Sequence, residues 1–559
     1  MVKIFFKMRE QIKQWAGPLV LLVFLCAGIF AADVLRAKDT EGLIAGTDEE
    51  NHLPRIMHLY RAARYRPNAS PFNESVDYWP NWWPPLTYRC GAQAFKILGP
   101  SRQSAIAAIA FFHIIIGLAA FTAVVRFAGP WSALCAAALS MLPASVMHFA
   151  GIVGLDLALA AMVCAATSCL LLSEGFAKIL PSILFGVFCG LGMLAKITFP
   201  IFIIPALIVS LILYRKDLNL RSWTLVLIAV FIAAAIASVW YFDRAVLIAR
   251  SLYFHLIDYQ TKPQASFLRT ESGGFFLKDL AAAAGLGVLA LTVFGVGDAI
   301  RRRSSPEIIL ASSICVSLII VAAAPSNPER FWLPAVPLGV MLGCFALARI
   351  KLTSKRIIVA ALFFALIGAA SASRIYGAVP SVPFIFPEKQ SRPVLVNQDE
   401  FASAVIDTDL PIGGEFCVFS DSDRIFHEGY LRYLVQRKRP DLHGWVWGPV
   451  HFHHRQLEDF FNRLAGCQTA VFRTSRSDIT KPDRQSILRA VYLGEAHSMK
   501  QFDGELAKGF FPKNYDIEKR VSESFAPFEY AGEMSLQKES DDDVAIRIVL
   551  LTKKKTDSS

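Results

Sequence analysis

Thr47-Asp48-Glu49-Glu50-Asn51-His52 sets three consecutive carboxylates shortly after a long apolar run. A carboxylate can take the proton from an attacking hydroxyl when burial or a neighbouring charge moves its pKa toward ambient pH. Asp48 and Glu49 are therefore candidate catalytic residues. The same segment also has a structural use, because Thr47 and Glu50 form a capping box and acids favour the positive end of a helix dipole. Leu53, Ile56, Met57 and Tyr60 follow at helical spacing, with Arg55, Arg61, Arg64 and Arg66 around them. That pattern predicts an amphipathic helix on a membrane surface.

Further along, Tyr78-Trp79-Pro80-Asn81-Trp82-Trp83-Pro84-Pro85-Leu86-Thr87-Tyr88-Arg89 concentrates aromatics and prolines before the next apolar run. Trp83 and Tyr88 fit either an interfacial aromatic belt or a stacking surface for a sugar or lipid head group. Asp156, Lys196 and Arg330 each stand at the edge of an apolar run. Charges at such depth are costly, so they pair, line a cavity or snorkel to the interface.

The elements that must position these residues follow from composition. Of 559 residues, 54% are hydrophobic and 18% are charged, which argues against a purely soluble enzyme. Residues 1–373 carry 32 Lys plus Arg against 19 Asp plus Glu, whereas residues 374–559 carry 25 against 27, so the basic excess belongs to the apolar part. These cations lie between apolar runs, which excludes nucleic acid as the natural partner and fits membrane topology. A bilayer crossing needs about 20 apolar residues. Eleven runs approach that length: 17–35, 104–125, 131–148, 155–173, 180–195, 198–214, 222–242, 280–297, 307–324, 331–348 and 356–373. With a cytoplasmic N-terminus, the inner side gathers sixteen Lys and Arg but only five acids (Glu10, Glu174, Asp217, Asp298 and Glu307). The positive-inside rule then places residues 374–559 outside, together with a long outer loop, 36–103, after the first span. That first span is too long for a signal peptide and lacks a clear cleavage site.

The expected architecture is therefore a polytopic α-helical membrane protein of about eleven spans in residues 1–373, followed by a soluble extracytoplasmic α/β domain in 374–559. Within the latter, Glu415 to Phe419, Thr469 to Phe472 and Asp543 to Leu551 read as strands, and Tyr430 to Gln436 and Gln456 to Leu464 as helices. Seven of the ten cysteines fall in apolar runs as small hydrophobes, and a disulfide between Cys417 and Cys467 is open. His451, His453 and His454 have no partner at a ligand spacing and read as surface histidines. Asn68-Ala-Ser and Asn73-Glu-Ser fit the glycosylation sequon. The loop 243–279 holds Arg250, His255, Asp258, Tyr259, Lys262 and Glu271 before Gly273-Gly274, and fits either a segment over the site or a solvated loop.

The order of features resembles the GT-C superfamily of integral membrane glycosyltransferases, nearest the protein O-mannosyltransferases and the lipid A aminoarabinose transferases. The matching pieces are Asp48-Glu49, Trp83-Pro84-Pro85-Leu86-Thr87-Tyr88, Gly154-Leu155-Asp156-Leu157-Ala158-Leu159, Gly190-Leu191-Gly192-Met193-Leu194-Ala195-Lys196 and Glu329-Arg330-Phe331-Trp332-Leu333-Pro334. The resemblance spans about residues 15–350. It implies inverting transfer of a sugar from a polyprenyl-phosphate donor to a lipid, glycan or protein acceptor at the outer face of the cell (inner) membrane. Asp48 then matches the catalytic acid and Glu49 orients the acceptor or shares that role. Lys196, Arg89, Arg330 and Arg55 are the cations available to the departing phosphate, whose developing charge needs fixed positive partners. A divalent cation is held by acidic pairs in some relatives and not in others. One departure stands out, since Trp83 occupies the place of a lysine that aminoarabinose-type enzymes carry before their Pro-Pro pair. The competing expectation is a secondary transporter or a non-catalytic membrane scaffold with an external domain, for which repeated halves and helices broken near the midplane would be the signature.

Overall fold

The computed structural model describes residues 2–38, 49–65, 83–246, 248–249, 273–323, 329–349 and most of 362–369, and beyond these chiefly five strands between 415 and 553. The chain forms two compact units, one of Met1–Asp39 with Pro80–Ser391 and the other of Thr40–Trp79 with Arg392–Ser559.

The first unit is a bundle of apolar helices: α1 (Val2–Lys38), α3 (Leu86–Leu98), α4 (Arg102–Ala128), α5 (Pro130–Met141), α6 (Ala144–Ala150), α7 (Asp156–Ser173), α8 (Ile179–Ala195), α9 (Phe199–Leu213), α10 (Leu220–Tyr241), α11 (Gly273–Arg302), α12 (Ser305–Ala323) and α13 (Ala335–Ala348). The protein is a multi-pass integral membrane protein. Of the eleven expected spans, six are helices of span length: Gln14–Ala37, Arg102–Ala128, Asp156–Ser173, Leu220–Tyr241, Ala284–Arg302 and Ser305–Ala322. The run 131–148 is a pair, α5 and α6, bent by 64° at Pro143. Three runs form the shorter apolar helices α8, α9 and α13, and 356–373 lies mostly outside the described residues.

Local sequence sets the helix ends. The Ser101 hydroxyl accepts from the Ser104 N–H at 3.0 Å, and the Asn219 side chain accepts from the Ser222 N–H at 3.0 Å, each satisfying a donor at the first turn of α4 and α10. Gly285, at φ 73°, interrupts α11 where only glycine is relaxed. Almost every side chain of α7 is buried, so it forms the centre of the bundle, packed against α4 and α8. By contrast Leu227, Val230 and Phe231 of α10 remain exposed, as apolar residues facing lipid do. Without a hydrophobic force between helices in lipid, close approach depends on small residues. Gly186 and Gly190 supply it between α8 and α10, since a Cβ at Gly186 would lie 2.5 Å from the Ala229 carbonyl oxygen.

At the bundle end where α7 finishes, cations pair with acids. Glu174 accepts from Lys178 at 2.6 Å and Arg126 at 3.1 Å, which holds its carboxyl below the ordinary range. Asp298 accepts from Arg302 and Arg349, both at 2.9 Å, and Arg349 also pairs with Glu307.

The second unit contains α2 (Glu49–Tyr65) and a mixed sheet of β1 (Glu415–Phe419), β2 (His443–Trp447), β3 (Thr469–Thr474), β4 (Phe528–Leu536) and β5 (Ile546–Lys553), in the order β2-β1-β3-β5-β4. β1 pairs in parallel with β2 and β3, while β5 runs antiparallel to β3 and β4. Parallel neighbours need crossover connections of about a dozen residues or more, which 420–442 and 448–468 are long enough to supply. Three of these strands match the sequence expectation. β2 and β4 do not, because His443-Gly444-Trp445 and the Gly532 bulge interrupt any apolar alternation. In α2, Leu53, Ile56, Met57 and Tyr60 form the expected stripe, but protein covers it, so it is not left open to a membrane surface. The segments expected as helices at 430–436 and 456–464, the histidines 451–454, both sequons and the loop 251–272 lie almost entirely outside the described residues.

Gly186→Leu should push α8 off α10 and destabilise the bundle by about 1–3 kcal/mol, the usual cost of overpacking. Thermal unfolding in detergent checks this, with Gly297→Ala as a control at a glycine that has open space around it.

Candidate active site

Lys196 ends α8 in an extended conformation, with its N–H on the Gly192 carbonyl at 3.1 Å. The chain then turns at once into α9, where the Phe199 N–H reaches back to the Lys196 carbonyl at 3.1 Å. Gly192 makes this turn fit, because any side chain there would overlap the Phe199 ring. Across from it, Asp156 is the first residue of α7, where a carboxylate meets the positive end of the helix dipole. The Lys196 ammonium donates to Asp156 Oδ1 at 2.5 Å, with the two side chains only 16% and 9% exposed.

A third element closes on the pair. The 3-10 turn Glu329–Phe331 sets the Phe331 ring with its centroid 5.1 Å from Lys196 Nζ, and the Arg330 guanidinium lies 5.7 Å from the same centroid. Trp332 and Leu333, fully buried, anchor the turn, and α13 starts directly after Pro334. Burial pushes the Arg330 guanidinium below its usual value, though an arginine stays charged across the physiological range. Two cations thus lie close to one aromatic ring, and Asp156 pairs with Lys196. Such an arrangement can hold an anion, since a phosphate competes well for an ammonium and a guanidinium in a half-buried site.

The sequence singled out Asp156, Lys196 and Arg330 separately, and the structure brings them together at the ends of α7, α8 and the turn before α13. Trp83, Tyr88 and Arg89 stand at the start of α3, which packs on α4 and touches α8. Trp83 is half-buried and Tyr88 buried, while Arg89 is exposed and its N–H bonds the Pro85 carbonyl at 2.9 Å. Glu49 and Arg55, both buried, lie on α2 of the second unit, and Asp48 lies outside the described residues. Among the described residues no group of three or more His, Cys, Asp or Glu is placed to hold a metal ion.

Sequence reasoning missed a second polar cluster at this end of the bundle. Asp33 and His113, 1% and 0% exposed, bond through Oδ2 and Nδ1 at 2.8 Å, and His113 Nε2 donates to the Met141 carbonyl at 2.8 Å. Arg36 donates to the Met147 carbonyl and buried Arg102 to the Gly151 carbonyl, each at 2.8 Å. The signal was present: Asp33 and His113 interrupt apolar runs, where an ionisable group needs a reason. Also missed was Arg244, buried after α10 with its guanidinium 5.7 Å from the Trp240 ring centroid, next to Tyr241, whose hydroxyl donates to the Met193 carbonyl.

A helical bundle with these charges gathered at one end has the GT-C fold of membrane glycosyltransferases. Among solved structures, it is similar to ArnT from Cupriavidus metallidurans in the apo state, with TM-score 0.57 and 13% identity over 96% of this chain and 98% of that one. The same enzyme bound to undecaprenyl phosphate gives TM-score 0.56 at 15% identity over the same shares of the two chains. The arabinofuranosyltransferase AftD from Mycobacteria gives TM-score 0.50 at 16% identity, covering 95% of this chain and 40% of that one. No family model matches the sequence, and no curated protein matches it.

If the Asp156–Lys196 pair is coupled, Asp156→Asn alone should destabilise more than Asp156→Asn combined with Lys196→Met, because the single change strands a half-buried ammonium. A double-mutant cycle on thermal unfolding should return a coupling of about 1–3 kcal/mol. Additive effects would show that the two charges stand independently.

Proposed function

We propose that this protein is a membrane glycosyltransferase that moves a sugar from a polyprenyl-phosphate donor to an acceptor at the outer face of the cell (inner) membrane, with inversion. The observation that carries this reading is the Lys196–Phe331–Arg330 cluster, with Asp156 on Lys196, set at one end of a bundle with the GT-C fold. The similarity to ArnT bound to undecaprenyl phosphate supports a lipid phosphate as the anion.

In this reading the donor phosphate takes Lys196 from Asp156 and gains Arg330, with Arg89 and Arg55 as further cations. As the bond from the anomeric carbon to the phosphate oxygen breaks, charge grows on that oxygen, and preorganised cations in a site poor in water stabilise it most. Asp48 accepts the proton of the attacking acceptor hydroxyl, and Glu49 holds the acceptor. Trp83 and Tyr88 offer faces for a sugar. The acceptor is a lipid, glycan or protein, and membrane lipids surround the site. A divalent cation, where one takes part, would meet Asp48 and Glu49. The N-terminus is cytoplasmic, and residues 374–559 form an α/β domain on the outer side; the parallel β1, β2 and β3 support the α/β assignment.

One feature favours the transporter reading, the bent pair α5 and α6, since transporters bind ions at broken helices. Around this break, however, the carbonyls of Met141, Met147 and Gly151 are taken by His113, Arg36 and Arg102. The backbone is thereby sealed by side chains.

Purified protein incubated with a panel of polyprenyl-phosphate sugars and membrane extract should consume at least one donor, and no turnover with any would overturn the reading. Asp48→Asn should then lower transfer by about 10²- to 10⁴-fold at unchanged protein level, the range expected for loss of a general base. Lys196→Ala should weaken donor use by about 10²-fold or more with little change in acceptor KM. Equal effects on donor and acceptor would remove Lys196 from the phosphate.

A further inference from the structure

Gly151 ends α6 and is followed by Ile152-Val153-Gly154-Leu155, after which Asp156 opens α7. Two arginines from distant parts of the chain meet on this glycine. Arg102, fully buried at the start of α4, donates to the Gly151 carbonyl at 2.8 Å. Arg36, near the end of α1, lays its guanidinium over the Gly151 Cα so closely that a Cβ there would overlap it. The same guanidinium donates to Met147, one turn earlier in α6, and stands 3.7 Å from Asp33. Asp33 in turn bonds His113, which holds the end of α5 through Met141. A carbonyl oxygen only accepts, so His113 Nε2 carries the hydrogen, and the Nδ1–Asp33 contact holds one shared proton.

Past the clamped glycine the connector has no slack. Ile152, Val153 and Leu155 are buried, and only four residues, Ile152, Val153, Gly154 and Leu155, separate Gly151 from Asp156. Arginines placed to fix Gly151 therefore also fix where the Asp156 carboxylate stands against Lys196.

We propose that Arg36 and Arg102 are positioning residues that hold Asp156 against Lys196 by clamping Gly151, and so set the orientation of the lysine that receives the donor phosphate. The last step rests on the function proposed above; the clamp itself does not. Neither arginine touches the Asp156–Lys196 contact. They act through the backbone of one glycine, and this distinguishes the idea from a general stabilising role.

The test uses the full chain in lipid nanodiscs and reads the rate at which the Lys196 amine is acylated by an N-hydroxysuccinimide ester, followed by mass spectrometry. Asp156→Asn should raise that rate about tenfold or more, as expected for loss of a charge-assisted hydrogen bond. Arg102→Gln should raise it in the same way, and Arg102→Lys, which can still donate to the Gly151 carbonyl, should restore it. Ser313→Ala removes a buried hydrogen bond to the Phe202 carbonyl far from the clamp and should leave the rate unchanged. If Arg102→Gln does not fold, Gly151→Ala displaces Arg36 without removing a charge, and should raise the rate as well. A wild-type rate in Arg102→Gln or Gly151→Ala, beside a raised rate in Asp156→Asn, would overturn the clamp. So would a raised rate in Ser313→Ala, which would mark general loosening. Donor kinetics separate the two layers: a raised labelling rate with no turnover from any donor sinks the proposed function and leaves the clamp standing. With turnover, Arg102→Gln should raise the donor KM several-fold and leave the acceptor KM in place.

Discussion

A polar group inside a membrane domain has no water to turn to, and in this protein that constraint organises the end of the bundle where the charges gather. Lys196 ends an apolar helix half-buried, which is tolerable because Asp156 accepts from it at 2.5 Å and the Phe331 ring faces its ammonium. Asp156 in turn can be a buried carboxylate because it opens α7 and meets the helix dipole as well as the lysine. Each charge is there only by virtue of the other, so the turn after α8, the start of α7 and the turn before α13 must be built to common tolerances.

The same constraint explains the bend between α5 and α6. A helix broken within lipid leaves carbonyls that must find donors, and only protein can supply them. His113, Arg36 and Arg102 do so at Met141, Met147 and Gly151. The two arginines carry charge of their own, and Asp33 stands between His113 and Arg36, 2.8 Å from the imidazole and 3.7 Å from the guanidinium. What looks like a second set of buried charges is thus a consequence of bending one span. The bend is in turn what brings the chain from α5 into the short connector that delivers Asp156.

Much of this could be read from residues alone, and the reasons for the exceptions are physical. Among the described residues the apolar runs became helices because a run of that length in lipid has little choice but to satisfy its backbone internally. Asp156, Lys196 and Arg330 were legible because a charge at the edge of an apolar run is expensive enough to stand out, but nothing in the sequence said that the Phe331 ring would join them. Arg36 and Arg102 were hidden for a different reason. Arg36 and Arg102 sit at run ends, where arginine is ordinary, and their meaning depends on Gly151, more than a hundred positions from Arg36. Contacts of that separation leave no periodic trace. The stripe of α2 was legible as a helix face, whereas its covering was not, since the same spacing suits a membrane surface and a protein surface equally.

The two cations about Phe331 bear most directly on what the bundle is for. Lys196 Nζ and the Arg330 guanidinium lie 5.1 and 5.7 Å from its ring centroid, and bringing two cations that close carries a cost in repulsion and desolvation. Arg330 is held there nonetheless, partly buried, by a turn whose next two residues are locked in the core. In the proposed function, an anion bound between the two cations offsets that cost. In that proposed reading the anion is a lipid phosphate leaving a sugar, its charge is greatest at the transition state, and its interaction with Lys196 and Arg330 is strongest there.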